Sequence, residues 1–330
     1  MEYESNTGTT PTISTTVFRG GSASLRCAAT AGTSYITMTH SQTAGAVRFY
    51  VRFAVRFETF PNATIPIFQF WDGSSSFPSV WFENATSTLR AYNGTPAAIG
   101  SSSSALSLNT WYVVQVDYDD PNASGNGPVS VWVDGVQICN AQPGDKIFGT
   151  GSIRLGVCAT ATAAIYYDDV AVNDGTGSAE TGLPDQNGRV ALLMPNAAGD
   201  NNLWPTATGG TAGTANNYTR VNTVPPDDAS TYNALAATGT TTIDDFNVTD
   251  STTAGIGSGD TVKLVGVGIR VGSTATTTAS VVARLKGQAS GTLSESASIA
   301  VNVNGWRTGG VVTSPAPQPW ANVIAYVNPQ

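Results

Sequence analysis

Between Ala46 and Phe57 large apolar residues recur at every second position. Val47, Phe49, Val51, Phe53, Val55 and Phe57 fall on one face, and Arg48, Tyr50, Arg52 and Arg56 on the other. A period of two is the mark of a strand with one buried side. The same pattern recurs from Thr110 to Asn140. There Tyr112, Val114, Val116 and Tyr118 oppose Trp111, Val113, Gln115 and Asp117, and Val129, Val131 and Val133 oppose Ser130 and Trp132. Asp134-Gly135 between two such runs predicts a type I′ hairpin, because both central positions need positive φ. Across that turn Val136 and Ile138 are expected on the core face and Gln137 on the other.

Further strands are predicted at Val17–Leu25, Tyr35–Thr39, Ile65–Trp71, Ser79–Phe82, Leu89–Tyr92, Gly151–Val157 and Ala164–Val172. In Ser79–Phe82 the alternation places Val80 and Phe82 inside and Trp81 outside. No stretch keeps a helical period. From Asn173 to Gly188 the chain is small and polar, with Gly and Pro, and reads as a linker. The boundary is placed near residue 180, which gives domains 1–180 and 181–330. The second begins with a strand at Arg189–Met194 and continues through a Gly/Asn/Thr-rich loop around Trp204. Tyr218–Val221 then leads into a rigid turn at Pro225–Asp228. Strands at Thr242–Val248, Thr261–Val271, Ala279–Lys286, Ala297–Val303 and Ala321–Val327 complete a smaller β-sandwich.

Composition sharpens this all-β reading. The 330 residues carry a net charge of −8, with Lys146, Lys263 and Lys286 as the only lysines, which argues against nucleic acid as a partner. No apolar run approaches the length of a membrane span, and Met1–Thr16 has no basic or apolar signal-peptide region. Cys27, Cys139 and Cys158 have no metal spacing. They read as three thiols or as a Cys139–Cys158 bridge with one thiol left over.

Two families are brought in by particular motifs. The strand NTWYVVQV at Asn109–Val116, the hairpin VSVWVDG at Val129–Gly135, the Gly-containing strand Ser152–Val157 and YYDDVAV at Tyr166–Val172 resemble the concanavalin A-like, laminin G-like jelly roll over residues 1–175. GRVALLMPNAAGDNNLW, NYTRVNTVPPDDASTY and the ending PWANVIAYVN resemble a domain of bacteriophage minor tail proteins. Asn222–Val224 stands where that domain has an acidic residue before the double proline. The resemblance implies a virion protein of the tail tip or a fibre, assembled in the host cytoplasm without a signal peptide. Its expected partners are other virion proteins, a host-surface glycan and further copies of itself, as a trimer. A capsid-attached decoration protein and a soluble carbohydrate-binding module are the alternatives.

Candidate chemistry is sparse. His40 is the only histidine and sits in a Thr/Ser-rich segment, so a His-based triad has one candidate base. Glycosidases on this fold place carboxylates at alternate positions of one strand. No E-x-D-x-E spacing occurs here, and a protein that is not an enzyme, binding glycan without cutting it, is expected. No cofactor is expected beyond a structural calcium ion of the kind found in laminin G-like domains. Asp119, Asp120 and Asn122 in the long turn, and Asp168 and Asp169, would supply its oxygens. For sugar, Arg48, Tyr50, Arg52, Arg56, Trp81 and Trp132 are the candidates, because flat aromatic platforms beside hydrogen-bonding groups suit a pyranose.

Overall fold

The computed structural model describes residues 5–21, 23–39, 48–71, 76–94, 97–119, 127–144, 152–173, 182–222, 230–235, 243–263, 265–272, 279–287, 293–295, 299–301, 306–313 and 323–329. His40, Asp120, Asn122 and the Pro225–Asp228 turn lie outside them. The chain divides into two units, Met1–Val190 and Ala191–Gln330. The division falls beyond the boundary near 180, because the segment after Thr181 packs with the first unit.

The first unit is built from β1 (Ser5–Gly8), β2 (Thr12–Ser14), β3 (Ser24–Thr39), β4 (Arg48–Thr59), β5 (Ile65–Trp71), β6 (Ser76–Glu83), β7 (Thr88–Tyr92), β8 (Ala98–Ile99), β9 (Trp111–Asp119), β10 (Pro128–Val133), β11 (Val136–Pro143) and β12 (Ser152–Asn173). Ladder order is β11-β10-β9-β4-β12-β5-β6-β7-β8, all antiparallel. β12 is the strand on which the fold turns. Residues Ser152–Leu155 pair with β5, and Ala164–Asn173 pair with β4, while β3 runs beside it through both halves. Between them the β12–β3 register slips at Val157/Ala161 and Ala161/Ala163. Bulges among small residues (Ala159 to Ala163) let a strand pass from one sheet to the next. The two strands predicted on either side of this bend are one.

The result is a jelly-roll sandwich. Sheet I holds β11, β10, β9, β4 and the end of β12; sheet II holds the start of β12, β5, β6, β7 and β8. Phe49, Phe53 and Phe57 of β4 meet β5 and β6 across the gap, with Phe53 and Phe68 centroids 5.4 Å apart and Phe57 and Phe82 5.2 Å apart. All are fully buried, at about 1.5–3 kcal/mol for each such side chain.

The hairpin forms as predicted at its turn, with Asp134 at φ 47° and Gly135 at φ 78°. Its far strand departs from simple alternation. Trp132 pairs with Gln137 but Val131 pairs with Cys139, so Ile138 is an extra residue. Val136 is 66% exposed, contrary to expectation, while Ile138 and Cys139 are both buried. No Cys139–Cys158 bridge exists; both are free thiols. The physical reason is topological: β10, β9 and β4 stand between β11 and β12. Burial pushes the Cys139 thiol up to about 11.

The second unit is a smaller β-sandwich. Its elements are β13 (Pro195–Asn202), β14 (Thr206–Thr208), a 3-10 helix (Thr214–Arg220), β15 (Tyr232–Ala234), β16 (Asp244–Val248), β17 (Val265–Gly272), β18 (Ala279–Gly287), β19 (Leu293–Glu295), β20 (Ile299–Val301), β21 (Trp306–Thr313) and β22 (Val323–Pro329). One sheet runs β13-β16-β22-β18-β19, with β20 also on β18; β17 pairs with β21. Ile269 of β17 packs with Val281, Ala283 and Leu285 of β18. The strand expected at Arg189–Met194 lies instead at Pro195–Asn202, where the sequence reads as loop. Asn217, Arg220 and Asp244 form a buried polar knot. Asn217 donates to both oxygens of Asp244 (3.0 and 2.8 Å) and Arg220 to the Asn217 side-chain oxygen (2.9 Å). Arg220 also donates to the carbonyls of Gly209 and Thr211.

Candidate functional site

The outer face of sheet I gathers five of the six residues expected to bind sugar. β4 pairs with β9 in the register Arg48↔Asp119, Tyr50↔Asp117, Arg52↔Gln115 and Arg56↔Trp111, and Trp132 pairs with Gln115. The cations, however, are already engaged. Arg48 grips Asp117 through two hydrogen bonds of 2.9 and 2.7 Å, reaches Asp119 at 3.4 Å and lies 5.0 Å over Tyr50. Arg56 donates to Asn109 and covers Tyr166 at 5.3 Å. Arg52 is only 4% exposed. Its Nε and Nη2 donate to the Asp169 carbonyl (3.1 and 2.9 Å) and its Nη1 to the Asp185 carbonyl (2.9 Å).

Asp185 belongs to a strap, residues 182–190, that crosses this face. Gln115 donates to the Pro184 carbonyl (2.7 Å), Asn173 to the Gly182 carbonyl (2.7 Å), and Val190 N–H to Asp169 (2.8 Å). The strap therefore covers Arg52 and takes it out of any sugar platform, while Arg48 stays exposed (44%) and is paired with Asp117. Of the aromatics on this face, Trp132 remains half-buried.

The carboxylates expected to hold calcium are occupied as well. Asp168 accepts from the backbone N–H groups of Arg19 (2.6 Å), Gly20 (3.1 Å) and Asp169 (2.7 Å). Asp169 accepts from Arg19 (2.7 Å) and Arg189 (3.2 Å), and its φ is 50°. Burial raises the Asp169 pKa while the Val190 N–H bond opposes the shift. Both oxygens of each carboxylate thus accept from protein donors. Asp119 is not brought to them, since β4 separates β9 from β12. Among the described residues no three His, Cys, Asp or Glu side chains form a metal-holding group.

Trp81 is on the other sheet. It stacks on Tyr92 at 4.6 Å and its Nε1 donates to Ser79 (2.7 Å). It marks one wall of a trough on the outer face of sheet II. Arg154, Gln69, Ser79 and Tyr92 are successive cross-strand neighbours on β12, β5, β6 and β7. Gln69 and Ser79 form a floor of 7% and 5% exposure. The opposite wall is the Arg154 guanidinium, 3.4 Å from the Trp71 ring centroid and 4.8 Å from that of Tyr35. Tyr35 fits there because its strand neighbour is Gly156, at φ 143°, where a Cβ would lie 2.7 Å from that of Tyr35. Arg154 to Tyr92 spans three strand spacings, roughly 14 Å.

Burial lowers the Arg154 pKa with no carboxylate to offset it. Its Nε is buried and without a hydrogen-bond partner. The alternation in SIRLGV and IPIFQFW puts Arg154, Gln69 and Trp71 outside. That signal was present in the sequence; the ladder that aligns them with Ser79 and Tyr92 was not.

What fold and geometry define is a jelly-roll sandwich with an aromatic-walled trough on one sheet. No protein-family description matches the chain, and no curated protein matches it in sequence. Among solved structures it is similar to a Trypanosoma rangeli sialidase (17% identity, TM-score 0.36), over 46% of this chain and 25% of that one. It is also similar to an alginate lyase of polysaccharide lyase family 7 (10%, TM-score 0.35), over 46% of this chain and 77% of that one. A third is a carbohydrate esterase from the Shiga toxin-encoding bacteriophage phi24B (14%, TM-score 0.39), over 51% and 88%. The chain thus spans a quarter of the sialidase's length. All three are enzymes, and on that finding the expectation of a protein that is not an enzyme is corrected. No helix among the described residues is long and apolar enough to cross a membrane.

Proposed function

We propose that the chain is a component of a bacteriophage particle, at the tail tip or in a fibre, that engages carbohydrate on the host surface through the trough of sheet II. The observation that carries this reading is the trough itself: two aromatic walls, Trp71 with Tyr35 and Trp81 with Tyr92, flank a floor of small and polar groups. Indole and phenol faces stack on the apolar face of a sugar ring, and polar groups between them read its hydroxyls. The particle component of the reading is supported by the minor-tail-like motifs of residues 188–328. Stacking contributes about 1–2 kcal/mol per ring, so one site binds weakly and gains strength from several copies acting together.

The test is a titration of the full chain with host-envelope polysaccharides, alongside Trp71→Ala and Trp81→Ala variants. Either variant is expected to weaken binding about tenfold, while Trp132→Ala, on the other sheet, leaves it unchanged. Binding that survives both trough variants and is lost with Trp132 would move the site to sheet I. Product analysis of the same mixtures reports whether the bound polysaccharide is also shortened.

A further inference from the structure

We infer that the Arg154 end of the trough is a subsite for a carboxylate-bearing sugar, with the guanidinium of Arg154 and the amide of Gln69 as its two recognition groups. The inference deepens the carbohydrate reading above and rests on it.

Arg154 differs from every other described arginine of the first unit. Arg19 and Arg189 hold Asp169, Arg26 holds Glu58, Arg48 holds Asp117 and Arg90 holds Glu83. Arg52 and Arg56 donate to carbonyl or amide oxygens. Among the described residues none accepts a hydrogen bond from Arg154. Its neighbours are ring faces, which hold the cation in place and leave its hydrogen-bonding edge unused. A cation fixed by π faces and stripped of acceptors is a preorganised anion site, since less freedom is lost when the anion arrives.

Gln69 is the second, independent sign. It pairs directly with Arg154 across the β12–β5 ladder and is 7% exposed. Its amide stands beside the guanidinium on the outer face of sheet II, where it can donate to a group that Arg154 holds. Two adjacent donors of this kind suit one ligand group. The planar guanidinium matches the two oxygens of a carboxylate, and the amide can donate to the same group or to a neighbouring hydroxyl.

The trough also selects the kind of carboxylate. Trp71 and Tyr35 seat the guanidinium by their ring faces and fix where the carboxylate must lie. The extension toward Trp81 and Tyr92 accommodates an oligosaccharide. Arg154 is the one arginine among the described residues of the first unit that donates to no protein acceptor, and in a chain of net charge −8 it suits one carboxylate per site and disfavours a densely charged polyphosphate.

The experiment titrates the full chain with a panel of uronate- and sialate-containing oligosaccharides, each paired with its carboxyl-reduced form. At least one acidic member is expected to bind, its reduced partner about tenfold or more weakly. Arg154→Gln should bring the acidic member down to the affinity of the reduced one, with the thermal unfolding midpoint checked in parallel. If that variant does not fold, the comparison of acidic and reduced sugars on the unaltered protein decides. Equal binding of the two forms, or full binding by a folded Arg154→Gln protein, overturns the subsite and leaves the carbohydrate reading standing. No binding of any neutral or acidic glycan overturns both.

Discussion

Arg52 and Arg154 both leave the outward side of a strand, and their surroundings give them opposite properties. Arg52 is held by two backbone carbonyls under the strap. Arg52→Ala is expected to destabilise the first unit by about 2–4 kcal/mol in urea unfolding, because the Asp169 and Asp185 carbonyls lose their donors where little water can replace them. Glycan binding by the protein that remains folded should not change. For Arg154, which donates to nothing described, removal should cost about 1 kcal/mol or less of stability, the worth of a cation–π contact. Gly156→Ala should act on the same wall by a different route. Its Cβ would lie 2.3 Å from the Ser34 carbonyl oxygen, at a φ that side chains rarely adopt, so both stability and the seat of Tyr35 are lost. In sequence the two arginines are indistinguishable, each flanked by apolar residues in clean alternation. Periodicity tells which way a side chain points; it does not tell what lies above it, and the strap over Arg52 arrives from more than a hundred residues away.

At the scale of elements, alternation found β4, β5, β7, β9 and the Asp134-Gly135 hairpin, because each has one apolar side and turn residues that demand a particular backbone. It divided β12 and marked only the two ends of β3, whose Ala- and Thr-rich middles have too little contrast for a period to register; the strand expected from Val17 to Leu25 is corrected, since Val17–Gly21 is bend and turn and β3 begins at Ser24. It also missed β13, PNAAGDNN, which is held in register by β16 and whose neighbouring strand supplies the order: Asp245 accepts from the Asn201 backbone and side chain at 2.7 and 2.8 Å. The strap was hidden for a related reason. Its small polar residues read as a linker, yet it is fixed through its backbone carbonyls, which any sequence possesses. A chain ending at Thr181 should therefore be less stable than one ending at Val190, by about 2–4 kcal/mol, since Arg52, Gln115 and Asp169 all lose strap partners. Equal urea midpoints for the two truncations would mean that the strap is a passenger.

At the scale of the whole molecule, the second unit carries its own response to pH. Burial pushes Asp244 up to about 7, against an ordinary value near 3.8. An acid whose folded pKa is raised favours the folded state most when protonated. Its contribution is full below about pH 4 and is lost as pH rises through 7. The difference in stability between the native chain and Asp244→Asn should accordingly shrink from pH 4 to pH 8, by a few kcal/mol; a difference that stays flat would show that Asp244 titrates normally. The first unit poses a problem of timing. β4 and β5 are both in place early in the chain, but the strand that joins their sheets, β12, begins only at Ser152. While the protein is being synthesised, two half-sheets with open edges and an uncovered aromatic interior must wait for it. A nascent chain halted before Ser152 should bind a hydrophobic dye and precipitate, and the folded state should form only in the last stage of that unit's translation.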